Sequence, residues 1–340
     1  PQLASSLNVP SGGNPRHTIL LVGVYYVLYT LNPRMLLNTG MTRAFTCIAP
    51  EGTVLNPVEP AAVGMRSLTC ARLRSVIFGA FSQAIPDRMP AAPAGNNCII
   101  NVMTRDERTQ KTVIAAVNPV VGGGGGMPHR DGSNGSGADA AYLKNTPIEI
   151  TETEVPVEFV KYGLAQDSGG AGYWRGGLAT EMAFRVFSPD TRITARNRDR
   201  SFFRPWGTLG GHAAGLSDMM INPGTPQARP LGNVDTAILE PGDVLEIRSA
   251  GGGGRGDPLQ RPTARVARDV VGGYVSVDAA RREYGVVITD GVVDEEATTA
   301  LRASMTPHTA HFHFGPERDG YEAQWTNAAY DLLTQILADL

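Results

Sequence analysis

Gly122-Gly123-Gly124-Gly125-Gly126, running on to His129-Arg130-Asp131-Gly132, opens a series of glycine-rich strings on which the reading of this chain turns. Asp167-Ser168-Gly169-Gly170-Ala171-Gly172-Tyr173-Trp174-Arg175-Gly176-Gly177 follows, and Pro205-Trp206-Gly207-Thr208-Leu209-Gly210-Gly211 comes next. Gly251-Gly252-Gly253-Gly254-Arg255-Gly256-Asp257-Pro258 closes the series. Glycine supplies 40 of the 340 residues, against an ordinary share of roughly 7%. The glycines are clustered and not periodic, which excludes a collagen repeat and a flexible linker. Ordering glycine costs conformational entropy, so such strings mark positive φ or a close approach to the backbone. Two uses fit: tight turns in a β-rich domain, or, for Gly122–Gly132, a binding site or subunit contact.

Outward from these strings the pattern is of period-2 strands separated by turn clusters. Strands are expected at Glu154–Leu164, Thr180–Phe187, Arg192–Arg196 and Val244–Arg248. Upstream, residues 98–103 and 111–117 read as two strands around a charged turn, and Arg43–Ile48 as a strand before the Pro50-Glu51-Gly52 turn. Residues 15–31 and 64–85 read as helices, the second ended by Pro86. Downstream, Ala264–Val271 and Val277–Tyr284 suggest short helices, Val286–Ile288 a strand, and Thr326–Leu340 an amphipathic helix. The expected class is α+β. A mixed α/β section spans 1–140, a β-rich domain with the glycine loops 141–262, and a small tail ending in a helix 263–340. No repeat of solenoid or propeller period is present.

Bulk properties narrow the function. An apolar share of 42% and a charged share of 19% are those of a globular protein, and a net charge of −3 makes no electrostatic case for nucleic acid or an anionic membrane. Thr18–Leu31 is apolar but shorter than the roughly 20 residues a spanning helix needs. Cys47, Cys70 and Cys98 cannot all pair and show no CxxC spacing, which points to a reducing cytoplasm and buried, inert thiols.

Candidate chemistry concentrates in the loops. No string matches GxxxxGK[ST], and none reads as the GxGxxG of a strand–turn–helix unit, so ATP binding by this chain itself is not expected. Backbone N–H groups of Gly124, Gly125 and Gly126 are candidates to line a substrate, because strings of such donors form anion nests. Arg130 and Asp131 bring a planar donor fork and a carboxylate side by side and are the candidate catalytic pair, with His129 the lesser one. Arg175 is a candidate to orient substrate, and Trp206 to cap a β-core. Glu149, Glu152 and Glu154 alternate along an expected strand and would share a face, either solvated or turned to a ligand. Asp167-Ser168-Gly169 is not a GxSxG elbow, so a serine nucleophile is not expected. His308, His311 and His313 lack a carboxylate or cysteine at ligand spacing, so no metal site is assigned.

In this order the strings resemble the hydantoinase B family, the second subunit of ATP-dependent hydantoinases and 5-oxoprolinases, related to subunits of acetone and acetophenone carboxylases. Asn32-Pro33, Asn38-Thr39-Gly40, Ala49–Pro57 and Pro60–Val63 carry the likeness before the glycines. Asn145–Glu149, Asp269-Val270 and Tyr284–Val287 carry it around and after them, with a weaker echo at Phe314–Arg318 and Trp325. The resemblance favours Asp131 over His129, and Glu149 over its neighbours. It implies part of the B (beta) subunit of an ATP-dependent cyclic-amide hydrolase, shaping the substrate cavity and the contact with an ATP-binding A (alpha) subunit. ATP and Mg would sit on that partner, and phosphorylation of the amide oxygen would prepare it for water. A divalent metal, Zn or Mn, would lie in the family's N-terminal half, whose Asp and His strings do not occur here. The chain is therefore expected to be a fragment or one piece of a split subunit, working in a hetero-oligomer with that half and inactive alone. The alternatives are a subunit of an ATP-dependent, biotin-independent ketone carboxylase, or a purely structural interface module.

Overall fold

The computed structural model describes residues 4–5, 23–36, 38–58, 63–64, 66–136, 145–196, 198–232, 234 and 236–338. Helices α1 (Tyr25–Leu31) and α2 (Arg66–Ala84) occupy the N-terminal section. Residues 15–22 of the first expected helix lie outside the described residues. The hairpin β1 (Asn97–Asp106) and β2 (Lys111–Val121) then sets the architecture. Along β1, Cys98, Ile100 and Val102 point inward in strict alternation. The turn between the strands is fixed by the Asp106 carboxylate, which accepts from the Arg108 N–H and the Thr109 hydroxyl, each at 2.9 Å.

Helix α3 (Ile148–Glu154) precedes seven more sandwich strands. These are β3 (Val157–Leu164), β4 (Thr180–Val186), β5 (Thr191–Arg196), β6 (Asp218–Ile221), β7 (Arg229–Pro230), β8 (Thr236–Leu239) and β9 (Val244–Arg248). They form two antiparallel sheets, ordered β7-β6-β9-β4-β3 and β8-β5-β1-β2. The second sheet draws strands from both sides of position 140, through the register Val102↔Ile193 and Ile100↔Ala195. Their inner faces share one core that includes Ile100, Val102, Met182, Phe184, Ile193 and Leu245. Each such side chain contributes roughly 1.5–3 kcal/mol by leaving water.

The glycine strings are not a linker, and the turn reading holds at Gly207–Gly211, where Leu209 and Gly210 take positive φ and the Gly211 N–H donates to Thr208 O at 3.0 Å. Gly122–Gly126, Gly169–Gly177, Gly207–Gly211 and Gly251–Gly254 lie side by side as one sheaf at the end of the sandwich, cross-linked by backbone hydrogen bonds. Gly177 N–H donates to Gly124 O at 2.7 Å, Gly252 N–H to Gly177 O at 2.9 Å, and Gly170 N–H to Gly252 O at 2.9 Å. In the same way Gly126 N–H donates to Gly253 O and Gly254 N–H to His212 O. Gly123, Gly176 and Gly252 have no positive φ; a Cβ on any of them would sit 1.7–1.9 Å from a backbone oxygen of another segment. Close approach, not turn geometry, is what excludes every other residue there. Trp206, expected to cap the β-core, instead packs with Ala91, Ala92 and Phe312 beside this sheaf.

The helices α4 (Thr263–Val271), α5 (Val277–Tyr284), α6 (Glu295–Ser304), α7 (Pro316–Gln324) and α8 (Asn327–Ala338) follow. Helix α5 is capped by the Ser276 hydroxyl, which accepts from the Ala279 N–H, and ends at Gly285 with φ +62°. The class is α+β, as expected, with local corrections. Arg43–Ile48 is irregular and pairs with no strand among the described residues. Glu149, Glu152 and Glu154 lie on α3 and do not alternate along a strand. Pro147 holds φ at −52° just ahead of the first turn, and Glu149 sits in that turn, where helix dipole and carboxylate agree. Val286–Ile288 contributes only the short pair Ile288–Thr289 with Val292–Val293.

Candidate functional site

One arginine organises the ground beneath the Met127–Gly132 loop. Arg261 is 1% exposed, and a guanidinium so placed must be matched by acids. Its Nη1 donates to Asp131 Oδ1 and its Nη2 to Asp131 Oδ2, both at 2.8 Å, a bidentate fork. Nη1 also donates to the Tyr173 carbonyl at 2.8 Å, and Nη2 to Asp269 Oδ2 at 2.7 Å. Arg175 Nε lies 3.6 Å from the same Asp269 oxygen, and its backbone N–H donates to Asp131 Oδ1 at 2.8 Å. Arg175, Arg261, Asp131 and Asp269 thus form a charge-balanced cluster. Burial alone would raise the Asp131 carboxyl, but the Arg261 fork and the nearby Arg175 hold it below the ordinary carboxylate range. Tyr284, 2% exposed beside the cluster, is pushed up by burial and stays neutral.

The expected site residues fall into distinct positions. Asp131 has both oxygens engaged by Arg261, while Arg130, the residue before it, is exposed on the loop. Arg175 is buried, and its Nη1 donates to the Gly176 carbonyl at 2.6 Å. The N–H groups of Gly124 and Gly126 donate to Ser133 O and Gly253 O, and Gly125 packs against the Ala91 carbonyl. Glu149 stands apart on the exposed side of α3. The structure therefore brings Asp131, Arg175 and the glycine loop together and leaves Glu149 outside. The Ser168 hydroxyl donates to Ala165 O at 2.6 Å and accepts from Ala179 N–H at 2.9 Å, a structural role.

On the other side of Tyr284 a cleft of about 160 Å³ opens between the sheaf and α5, lined in part by Asp167, Arg204, Ala213, Arg282 and Glu283. His212 Nδ1 lies 2.8 Å from Glu283 Oε2. Hydrogen bonds from His212 and Arg282 draw the Glu283 carboxyl down to about 2 against the opposing effect of burial. With that carboxylate ionised, it accepts the hydrogen bond from the proton that Nδ1 carries, which fixes the orientation of the imidazole. Nothing in sequence order signals this pair, because the partners are 71 residues apart. His212 itself stands between Gly211 and Ala213, just after a string read for its glycines. Among the described residues, no three His, Cys, Asp or Glu side chains meet in a way that would hold a metal ion.

A β-sandwich carrying a glycine sheaf over this ion cluster is the setting in which the glycine strings find their place, and the chain belongs to the hydantoinase B/oxoprolinase family, whose pattern matches residues 1–258. It is 34% identical over 283 residues to the caprolactamase subunit beta of Pseudomonas jessenii, covering 78% of this chain and 48% of that one. The crystal structure of the ATP-dependent caprolactamase from Pseudomonas jessenii superposes with a TM-score of 0.67 at 28% identity, over 84% of this chain and 51% of that one. The nucleotide-free structure of acetone carboxylase shares the fold, with a TM-score of 0.67 at 20% identity over 91% of this chain and 45% of that one. The chain spans about half the length of the curated caprolactamase relative it matches.

Proposed function

We propose that this chain is part of the B (beta) subunit of an ATP-dependent cyclic-amide hydrolase of the hydantoinase, 5-oxoprolinase and caprolactamase kind. It would form a wall of the substrate cavity and the contact with an ATP-binding A (alpha) subunit. The family match over residues 1–258 is the observation that carries this reading. ATP and Mg belong to the partner in this account, because the glycine N–H groups that might cradle phosphate, among them Gly124, Gly126, Gly170 and Gly252, are spent on backbone carbonyls. The divalent metal implied by the resemblance does not fit the described residues either. Asp131 and Asp269 are already matched by Arg261 and Arg175.

Within that reading Asp131 is a positioning residue that fixes the loop, and Arg130 is the group offered toward substrate or partner. The test is reconstitution with the ATP-binding subunit and the remaining half of the B subunit. Exchanging Arg130 for Ala should abolish cyclic-amide-dependent ADP release while the complex still elutes intact. Unchanged turnover in that variant would remove Arg130 from the account, and loss of the complex would make the loop a docking surface.

A further inference from the structure

Beyond the family match, residues 308–317 cross back over the Pro205–Gly215 segment and are tied to it along their length. Phe312–His313 pairs antiparallel with Gly207–Thr208, and the Leu209 N–H donates to the His311 carbonyl at 2.9 Å. His311 Nε2 lies 3.0 Å from the Ser82 hydroxyl, and Phe312 packs edge-on against Trp206 with ring centroids 5.1 Å apart. At the far end Arg204 Nε and Nη2 donate to the two Glu317 oxygens at 2.7 and 2.6 Å.

The middle tie differs in kind. The Ala213 N–H donates to His313 Nδ1 at 2.8 Å, so that nitrogen must be unprotonated. The His313 ring lies 5.3 Å from His212 and 4.8 Å from His308, centroid to centroid. His308 Nδ1 is buried without a hydrogen-bond partner. Facing His313 are His212 from the loop, His308 from its own segment, Glu283 from α5 and Asp319 from α7. Glu283 is committed to His212 and Arg282, and the nearby Arg204 to Glu317. A proton on His313 would set an N–H against the Ala213 N–H and place its charge beside two further imidazoles. Burial, with a smaller push from the neighbouring imidazoles, holds both His308 and His313 below the ordinary histidine range against the opposing pull of Asp319.

We propose that residues 308–317 form an acid-released strap, closed over the Pro205–Gly215 segment while His313 is neutral and opened when it is protonated. Opening frees Ala213 and Arg204, two walls of the cleft beside Glu283, and uncovers Trp206. The inference stands independently of the hydrolase reading.

Hydrogen exchange of the 340-residue chain, corrected for the intrinsic pH dependence of exchange, tests it directly. Peptides covering 305–317 and 205–215 should exchange on the order of tenfold faster at pH 5 than at pH 7.5, as expected when a histidine depressed below its usual pKa of about 6.5 takes up a proton. Peptides from β1 and β2 should hold their protection. In His313→Gln, whose amide oxygen accepts the Ala213 N–H without titrating, the strap should stay closed at both pH values. The proposal is overturned by equal protection of the strap at both pH values, by opening that spreads to β1 and β2, or by a His313→Gln chain that opens at the wild-type pH.

Discussion

Placing a methyl group on Gly252 should cost more stability than the size of the change suggests. An added Cβ there would lie 1.9 Å from the Gly124 carbonyl oxygen and 2.8 Å from the Gly125 nitrogen, both backbone atoms that cannot swing aside. Relief to ordinary contact requires the segments to part by about 1 Å or more. The two segments that must part are joined by the Gly126 N–H donating to Gly253 O at 2.8 Å and the Gly123 N–H donating to Ala250 O at 3.0 Å. Breaking such buried bonds costs about 1–3 kcal/mol per bond, so loss of both comes to about 2–6 kcal/mol. That is a large share of a domain's usual stability of roughly 5–15 kcal/mol. Gly163 in β3 is the control, since nothing lies within 4 Å of a Cβ built there and its φ is not positive. Gly163→Ala should fall within about 0.5 kcal/mol of wild type, and an alanine on a strand can even stabilise by restricting the unfolded chain. Urea melts of both variants, followed by near-UV circular dichroism, report the difference as a shift in midpoint at constant slope. Equal midpoints for Gly252→Ala and Gly163→Ala would refute the claim that the sheaf is selected for lack of a Cβ.

Other outcomes follow from the charged groups. Asp131→Asn leaves the Arg175, Arg261 and Asp269 cluster with an uncompensated positive charge and should cost about 3 kcal/mol in a urea melt, since breaking a buried pair exposes its partner's desolvation. Asp131 sits below its ordinary value, so its contribution is present above about pH 4 and fades as pH falls through the lowered value; the acid limb of the stability profile should flatten in the same variant. Glu283, held near 2, should behave likewise, with stability present above roughly pH 4.3 and lost toward pH 2; Glu283→Gln should remove that part of the slope. Burial pushes the Cys98 thiol up to about 12, so a thiol reagent at pH 8 should label it only after denaturation.

Much of the sandwich was legible because its strands obey one period. Asn97–Asp106, Lys111–Val121, Thr180–Val186, Thr191–Arg196 and Val244–Arg248 all fall where alternation placed strands. Asp218–Ile221 and Thr236–Leu239 escaped notice because each is four residues long, too short for alternation to rise above its flanks. The acids at 149, 152 and 154 read as a strand edge, yet the proline before them begins a helix, and the Glu152 carboxylate accepts from the Phe159 N–H at 2.6 Å. The glycine strings announced that the backbone was special without saying how. Whether glycine serves a turn or a close approach depends on what lies opposite, and Gly124, Gly177 and Gly252 meet across gaps no local pattern encodes. The same limit hid Arg261, one arginine between glutamine and proline, although Asp131 stood out. His212 and Glu283 were each unremarkable until the fold set them together.

ADP release tests the proposed reaction class most directly. The chain, mixed with the ATP-binding subunit and the further B-subunit portion proposed for it, is offered hydantoin, 5-oxoproline, caprolactam and acetophenone, each with and without bicarbonate. ADP release that depends on a cyclic amide and ignores bicarbonate is the expected result. Release that requires a ketone together with bicarbonate would contradict it and move the chain to the carboxylases.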